Sequence, residues 1–266
     1  MKKLLITALL LSPAIVWAQP TIAPPQLGFV QDSGRGLRPA FGVSGSFILG
    51  PSVTPANAAG QIVTEAFSGS LGLLKTDSSL TAFNSQGKVL TSIIAAPGPA
   101  LFAFSPSGAT ALAYIASTKA LIEWRGSAFA PVSFSCDQIG ADTVLAIAFP
   151  SPFEATLMVQ RNAGLWEVHV PLGAAGALSQ TALPGVHAPL LALPSGDLVY
   201  SDAAGIVVRR PDASEVHITA SLPASFSLQQ MNQDWVQLTD LASSARFAIH
   251  ATPGREGFYR LPESGQ

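Results

Sequence analysis

Three ionisable residues sit at comparable places in the chain. Glu65 lies at the start of an apolar run in IVTEAF, Asp142 precedes one in ADTVLAIAF, and His187 precedes one in GVHAPLLAL. Two carboxylates and an imidazole brought to one point could hold a metal ion or form an acid/base pair. Residues of these types are also ordinary in solvated loops, so convergence has to come from the fold. Other candidates carry less. His169 and Glu167 alternate in WEVHV, which fits a half-exposed strand face better than a ligand pair. Glu123 and Glu167 recur at equivalent places, and a glycosidase pair would have to converge within a few ångströms. Ser105-Pro106-Ser107-Gly108 lacks the GxSxG frame of a nucleophile elbow and reads as a turn. Cys136 is the one cysteine, so no intrachain disulfide exists. At the end of PVSFS it reads as a small buried hydrophobe rather than a reactive thiol. CxxC, HExxH and Cys/His clusters are absent, which leaves a structural zinc site without support. Trp124, Trp166 and Trp235 fit packing positions better than sugar-stacking ones.

What must position these residues is a repeated element. An apolar run, a short polar or Gly-containing turn and a second apolar run recur from Leu27, Leu71, Ala111, Thr156, Asp197 and Trp235. Successive starts differ by 44, 40, 45, 41 and 38 residues. Leu112, Tyr114 and Ala116 alternate before Ser117-Thr118-Lys119, and Leu121, Ile122 and Trp124 follow it, as in a β-hairpin. The turns Asp32-Ser33-Gly34, Asp77-Ser78-Ser79, Asn162-Ala163-Gly164 and Ala204-Gly205 use residues that tolerate tight geometry. Helical spacing is unconvincing beyond the amino terminus; Leu241 to Phe247 fits one helical turn and the hairpin turn equally well.

A second marker keeps the same register. Pro106, Pro150 and Pro194 are each 44 residues apart and each closes a short apolar run before the next hairpin. Proline stops such a strand because its nitrogen cannot donate to the ladder. The third copy then reads as four strands: Leu101 to Ser105, Thr110 to Ala116, Leu121 to Arg125 and Pro131 to Ser135. Four short antiparallel strands per repeat of about 40 residues specify an all-β fold, a β-propeller. Six four-stranded blades are expected, with five or seven left open. The first copy lacks an obvious inner strand, because Pro20, Pro24 and Pro25 occupy the stretch before it. The sixth supplies its own four strands, ending at Phe258 to Leu261, and a terminal strand closing the ring from the other end is one alternative.

AFSPSGATALAY followed by ALIEWRG resembles the FSPDG-plus-hairpin pattern of WD40-like and YVTN-type propeller repeats. The chain as a whole resembles exported bacterial β-propeller proteins, through LGFVQDSGRGLRPAFGVSGS at its opening and SLQQMNQDWVQLTD near its end. Ser107 stands where the pattern has Asp, and no Trp-Asp dipeptide ends a blade. The resemblance implies fold rather than activity.

The ends and the composition bound the rest. Lys2 and Lys3, the apolar run Leu4 to Leu11, the break at Pro13 and Val16-Trp17-Ala18 before Gln19 form the pattern of a cleaved secretory signal peptide, residues 1–18. Its apolar run is about half the ~20 residues a membrane helix needs, and no later stretch qualifies. Residues 19–266 are expected to form one propeller domain, secreted or periplasmic. Charged residues make up 11% of the chain; apart from Lys2 and Lys3, 12 basic side chains face 16 acidic ones, a net of −4. Without a Lys/Arg run to release counterions from phosphates, nucleic-acid binding is not expected. The reading is an exported, non-catalytic propeller, a monomer without cofactor, acting as a protein- or glycan-binding scaffold; a purely structural envelope component is a variant of it. The alternative is a propeller hydrolase or lactonase with a metal at the channel mouth, using Glu65, Asp142 and His187.

Overall fold

Each predicted hairpin forms; five become the middle pair of a four-stranded antiparallel sheet, and the first forms two strands of a three-stranded one. The computed structural model describes residues 24–31, 37–53, 61–69, 71–125, 130–139, 142–162, 164–173 and 178–262. The expected signal peptide and the turn at Asp32-Ser33-Gly34 lie outside the described residues. The first sheet contains β1 (Gln26–Gln31), β2 (Leu37–Val43) and β3 (Ser46–Leu49). The second contains β4 (Ile62–Ser68), β5 (Leu71–Thr76), β6 (Ser79–Asn84) and β7 (Val89–Ile94). The third contains β8 (Ala100–Phe104), β9 (Ala111–Ile115), β10 (Ala120–Arg125) and β11 (Ala130–Ser135). The fourth contains β12 (Thr143–Ser151), β13 (Glu154–Arg161), β14 (Gly164–Pro171) and β15 (Ser179–Ala182). The fifth contains β16 (Leu190–Ala192), β17 (Leu198–Ser201), β18 (Gly205–Arg209) and β19 (Glu215–Thr219). The sixth contains β20 (Phe226–Gln230), β21 (Trp235–Asp240), β22 (Arg246–His250) and β23 (Gly257–Arg260). The molecule is a six-bladed β-propeller. Five blades show four strands and the first shows three among the described residues.

Side-chain alternation explains why the second and third strands read as nearly unbroken apolar runs. Successive residues point to opposite faces of a sheet, and here both faces are covered by neighbouring blades. On β10, Leu121 packs toward the fourth sheet while Ile122 and Trp124 pack toward the second. All six residues of β5 are buried, whereas the outer strand β7 alternates between half-buried and exposed. The core is therefore six wedges, one per seam. Phe29 fills the seam between the first and second sheets, edge-on to Phe67 (centroids 4.9 Å apart) and to Phe83 (5.7 Å). Leu73, Phe104 and Trp124 fill the next seam, and Ile147, Leu157 and Val168 the one after it. Met158, Leu198 and Tyr200 join the fourth and fifth sheets; Val208, Val236 and Ile249 join the fifth and sixth. Each such side chain contributes about 1.5–3 kcal/mol by leaving water.

The last seam closes the ring without an interlocking strand among the described residues. Leu27, Val30 and Ala40 of the first sheet pack on Met231, Trp235 and Ala248 of the sixth, with Phe47 edge-on to Trp235 at 5.8 Å. Gly28 lets the two backbones meet: a Cβ there would stand 1.9 Å from the Met231 carbonyl oxygen. Among the described residues the first blade shows no strand inside β1. At the hub β4, β8, β12, β16 and β20 each touch the next, and β20 returns to β4. A clasp from the sixth blade spans this gap. The Gln229 amide donates to the Glu65 carbonyl oxygen, Gly69 N–H donates to Asn232 Oδ1 (2.9 Å), and Gln233 Nε2 donates to the Pro106 carbonyl oxygen (2.8 Å).

One detail differs from expectation. Pro106 and Pro194 lie beyond β8 and β16, but β12 continues through Pro150 to Ser151. The ladder shifts register between Ala148 and Ser151, and at such an irregularity a missing N–H donor is tolerated.

Candidate functional site

The three residues singled out at the channel mouth occupy different settings. Glu65 is the fourth residue of β4, opposite Leu74, and is 5% exposed. Asp142 precedes β12 and accepts a hydrogen bond from Arg161 Nε (2.7 Å) at the end of β13. Arg161 also donates to Gln180 Oε1 (2.6 Å) and lies over the Trp166 ring at 5.7 Å. His187 is exposed on the connection between β15 and β16. Among the described residues, no three His, Cys, Asp or Glu side chains gather closely enough to hold a metal ion. No described helix is long and apolar enough to cross a membrane.

The bland readings of the other candidates match the packing. Cys136 is fully buried, and burial, helped by Asp137, pushes its thiol up to about 11. Trp124 is fully buried; Trp235 is 7% exposed and stacks on His250 at 4.2 Å; Trp166 is half-buried under Arg161. Glu123 is buried on β10, with Arg125 Nε 3.6 Å away and no hydrogen-bond partner for either oxygen. Burial raises its carboxyl above the usual range, against the smaller opposing pull of Arg125.

A cleft of about 470 Å³ lies elsewhere, along the seam between the fourth and fifth blades. Cavities of about 300–1,000 Å³ are the usual size of binding sites. Strand register builds its first wall. Thr156 pairs with His169 and Met158 with Glu167, so Glu154, Thr156, Met158, Glu167 and His169 share one face of the β13–β14 pair. The opposite face, with Leu157 and Val168, packs on the third blade. The cleft face is apolar at Met158 and polar at Glu154, which begins β13. Ala148, Met158, Leu183 and Leu198 supply the apolar lining.

His169 stands between two carboxylates. Its Nδ1 is 2.9 Å from Glu154 Oε1 and 3.4 Å from Thr156 Oγ1, and its Nε2 is 3.7 Å from Glu167 Oε1. The fifth blade supplies Arg209 and Arg210 on the other wall. Both are committed to protein acceptors. Arg210 donates to Asp197 Oδ2 (2.5 Å), to the Ala251 carbonyl oxygen (2.7 Å) and to Glu256, tying the fifth blade to the sixth. Arg209 donates to the Pro184 carbonyl oxygen (3.2 Å) and lies 3.6 Å from Glu215. Tyr200 donates to Glu215 (2.8 Å), and its hydroxyl is pushed up to about 12 by burial and by that carboxylate. The cleft thus sets two engaged arginines and the His169 cluster beside an apolar floor.

Glu167 and His169 are visible in the sequence as an alternating pair, but their partner Glu154 is not. Counting back from the turn at Asn162 and Gly164 brings Thr156 opposite His169 and Glu154 beside it. Arg209 and Arg210 arrive through blade packing, for which a single sequence carries no signal.

No protein-family model and no curated protein matches the chain. Solved structures match by shape. TolB from Acinetobacter baumannii aligns with a TM-score of 0.56 at 16% identity, over 92% of this chain and 66% of that one. A chain of the nidogen/laminin complex aligns with a TM-score of 0.54 at 11% identity, over 89% of this chain and 98% of that one. The WD40 repeats of RRP9 align at 0.48 and 14% identity, over 77% of this chain and 65% of that one. The first two likenesses show the β-propeller fold.

Proposed function

We propose that this chain is an exported, non-catalytic β-propeller that binds a protein partner through the cleft between its fourth and fifth blades. The observation that carries the proposal is the state of the charged groups there. Arg209 and Arg210 are held by protein acceptors, and Nδ1 of His169 is hydrogen-bonded to Glu154. General acid/base chemistry most often uses an imidazole free to exchange a proton with a substrate, and the His169 ring is committed to Glu154. Fixed charges on rigid strands instead lower the ordering cost of recognition. A protein suits the site better than a glycan, because Trp124 and Trp235 are spent on blade packing and Trp166 lies under Arg161. Export rests on the sequence pattern of residues 1–18. The metal-assisted hydrolase draws no support from geometry: Glu65 is inside a sheet and Asp142 is engaged by Arg161.

The test is site-directed photo-crosslinking in the envelope of the producing cell. A photoreactive residue at Ser195, exposed on the cleft, should capture one defined protein. The same group at Leu90, on the second blade, should not. Capture of nothing at Ser195, or of the same species from both positions, would remove the proposal.

A further inference from the structure

We infer that the cleft between the fourth and fifth blades receives a lysine or arginine side chain of its partner. The inference rests on the protein-binding reading above and names the chemistry that reading leaves open. It follows from the charge balance. Two carboxylates line the cleft, Glu154 and Glu167, and three more, Asp197, Glu215 and Glu256, lie against its arginines. Two guanidinium groups face them, Arg209 and Arg210, with side chains 17% and 12% exposed. Asp197, Glu215 and Glu256 are occupied by those two arginines. Glu154 and Glu167 remain, with only His169 between them and side-chain exposures of 43% and 31%. Glu154 gives one oxygen to His169, while the Glu167–His169 separation of 3.7 Å is too long for a hydrogen bond. The unmatched charge in the cleft is therefore negative, whether His169 is neutral or charged.

The apolar floor fits the same ligand. Ala148, Met158, Leu183 and Leu198 line the cleft beside the two carboxylates. A lysine or arginine has an apolar stem and a cationic head, and it buries the first while the second meets acceptors. An acidic or uncharged polar side chain would leave Glu154 and Glu167 facing like charge or no charge. Backbone pairing of β13 and β14 sets both carboxylates on one face before the partner arrives.

The probes are capped Gly-Lys-Gly, Gly-Arg-Gly and Gly-Glu-Gly peptides, titrated into the full chain. Binding is read by calorimetry and by the His169 ring resonances. The two cationic peptides should shift those resonances saturably and bind more weakly as salt is raised. The acidic peptide should leave them in place. The double variant Glu154→Gln, Glu167→Gln keeps side-chain shape on partly exposed positions; it should retain the native melting temperature and bind the cationic peptides about ten-fold more weakly. Equal binding of the acidic peptide, undiminished binding by the double variant, or no saturable shift with any peptide would overturn the assignment. Crosslinking at Ser195 that persists after such a result would sink the cationic ligand and leave protein binding standing. Loss of both would sink both.

Discussion

Substituting Gly28 by alanine tests how the ring is closed. The Cβ built at Gly28 would lie 1.9 Å from the Met231 carbonyl oxygen, 2.7 Å from its carbonyl carbon and 3.1 Å from its Cα. All three are backbone atoms, so no rotamer change relieves the overlap. The strand β1 must move away from the end of β20, and the wedge of Leu27, Val30, Met231 and Trp235 must loosen. Overpacking of this kind costs about 1–3 kcal/mol. The backbone at Gly28 has φ +150, a region L-residues rarely adopt, which adds about 1–3 kcal/mol. A total of about 2–6 kcal/mol lowers the melting temperature by roughly 4–24 °C in a domain of this size. Gly45→Ala is the control. Gly45 also has positive φ (+84), but nothing lies within 4 Å of its Cβ position, so only backbone strain of about 1–2 kcal/mol applies. The assay is thermal unfolding followed by circular dichroism and calorimetry. If Gly28→Ala melts no lower than Gly45→Ala, the first and sixth blades do not meet as described and closure comes from somewhere else.

Three further outcomes follow from buried groups. Ile147→Asp places an unpaired carboxylate between the third and fourth blades, where Ile147 is 1% exposed, and should abolish soluble folded protein; a native-like spectrum would put this residue outside the seam. Glu123→Gln should raise the melting temperature at neutral pH, because burial raises the folded-state carboxyl. A raised acid contributes stability that is full in acid and lost as pH climbs from its ordinary value through the folded one, so the gain should shrink toward about pH 4; a gain that grows in acid would refute this. Cys136, buried and with its thiol pushed up to about 11, should resist iodoacetamide in the native protein at about pH 8 and react once denatured; rapid native alkylation would show an accessible thiol.

The repeat was readable because a hairpin is local. Leu71, Ala111 and Trp235 open β5, β9 and β21 as the pattern requires, and Leu27 and Thr156 fall one and two residues inside β1 and β13. The turn after Asp240 resolves the ambiguity of Leu241 to Phe247 in favour of the hairpin. Pro24 and Pro25, just before β1, fit the three strands that the first blade shows among the described residues. Irregularities were harder to see. Pro150 sits within β12, and a register shift between Val144 and Ala146 leaves Leu145 only partly buried, although its composition matches its neighbours. The cleft was least visible. Glu154 and His169 are joined by cross-strand register, and Arg209 reaches the same cleft through contact between blades that no sequence period encodes.

The seam between first and last blades also sets how the disc responds to load. Among the described residues, tension applied across it meets side-chain contacts and the three hydrogen bonds of Gln229, Asn232 and Gln233, rather than a strand that must be sheared from a sheet. Peeling contacts apart in sequence takes less force than shearing a full ladder at once. The circle is therefore a C-shaped spring with a latch, and pulling its ends should part it there first, as an early low-force event ahead of the unravelling of individual blades.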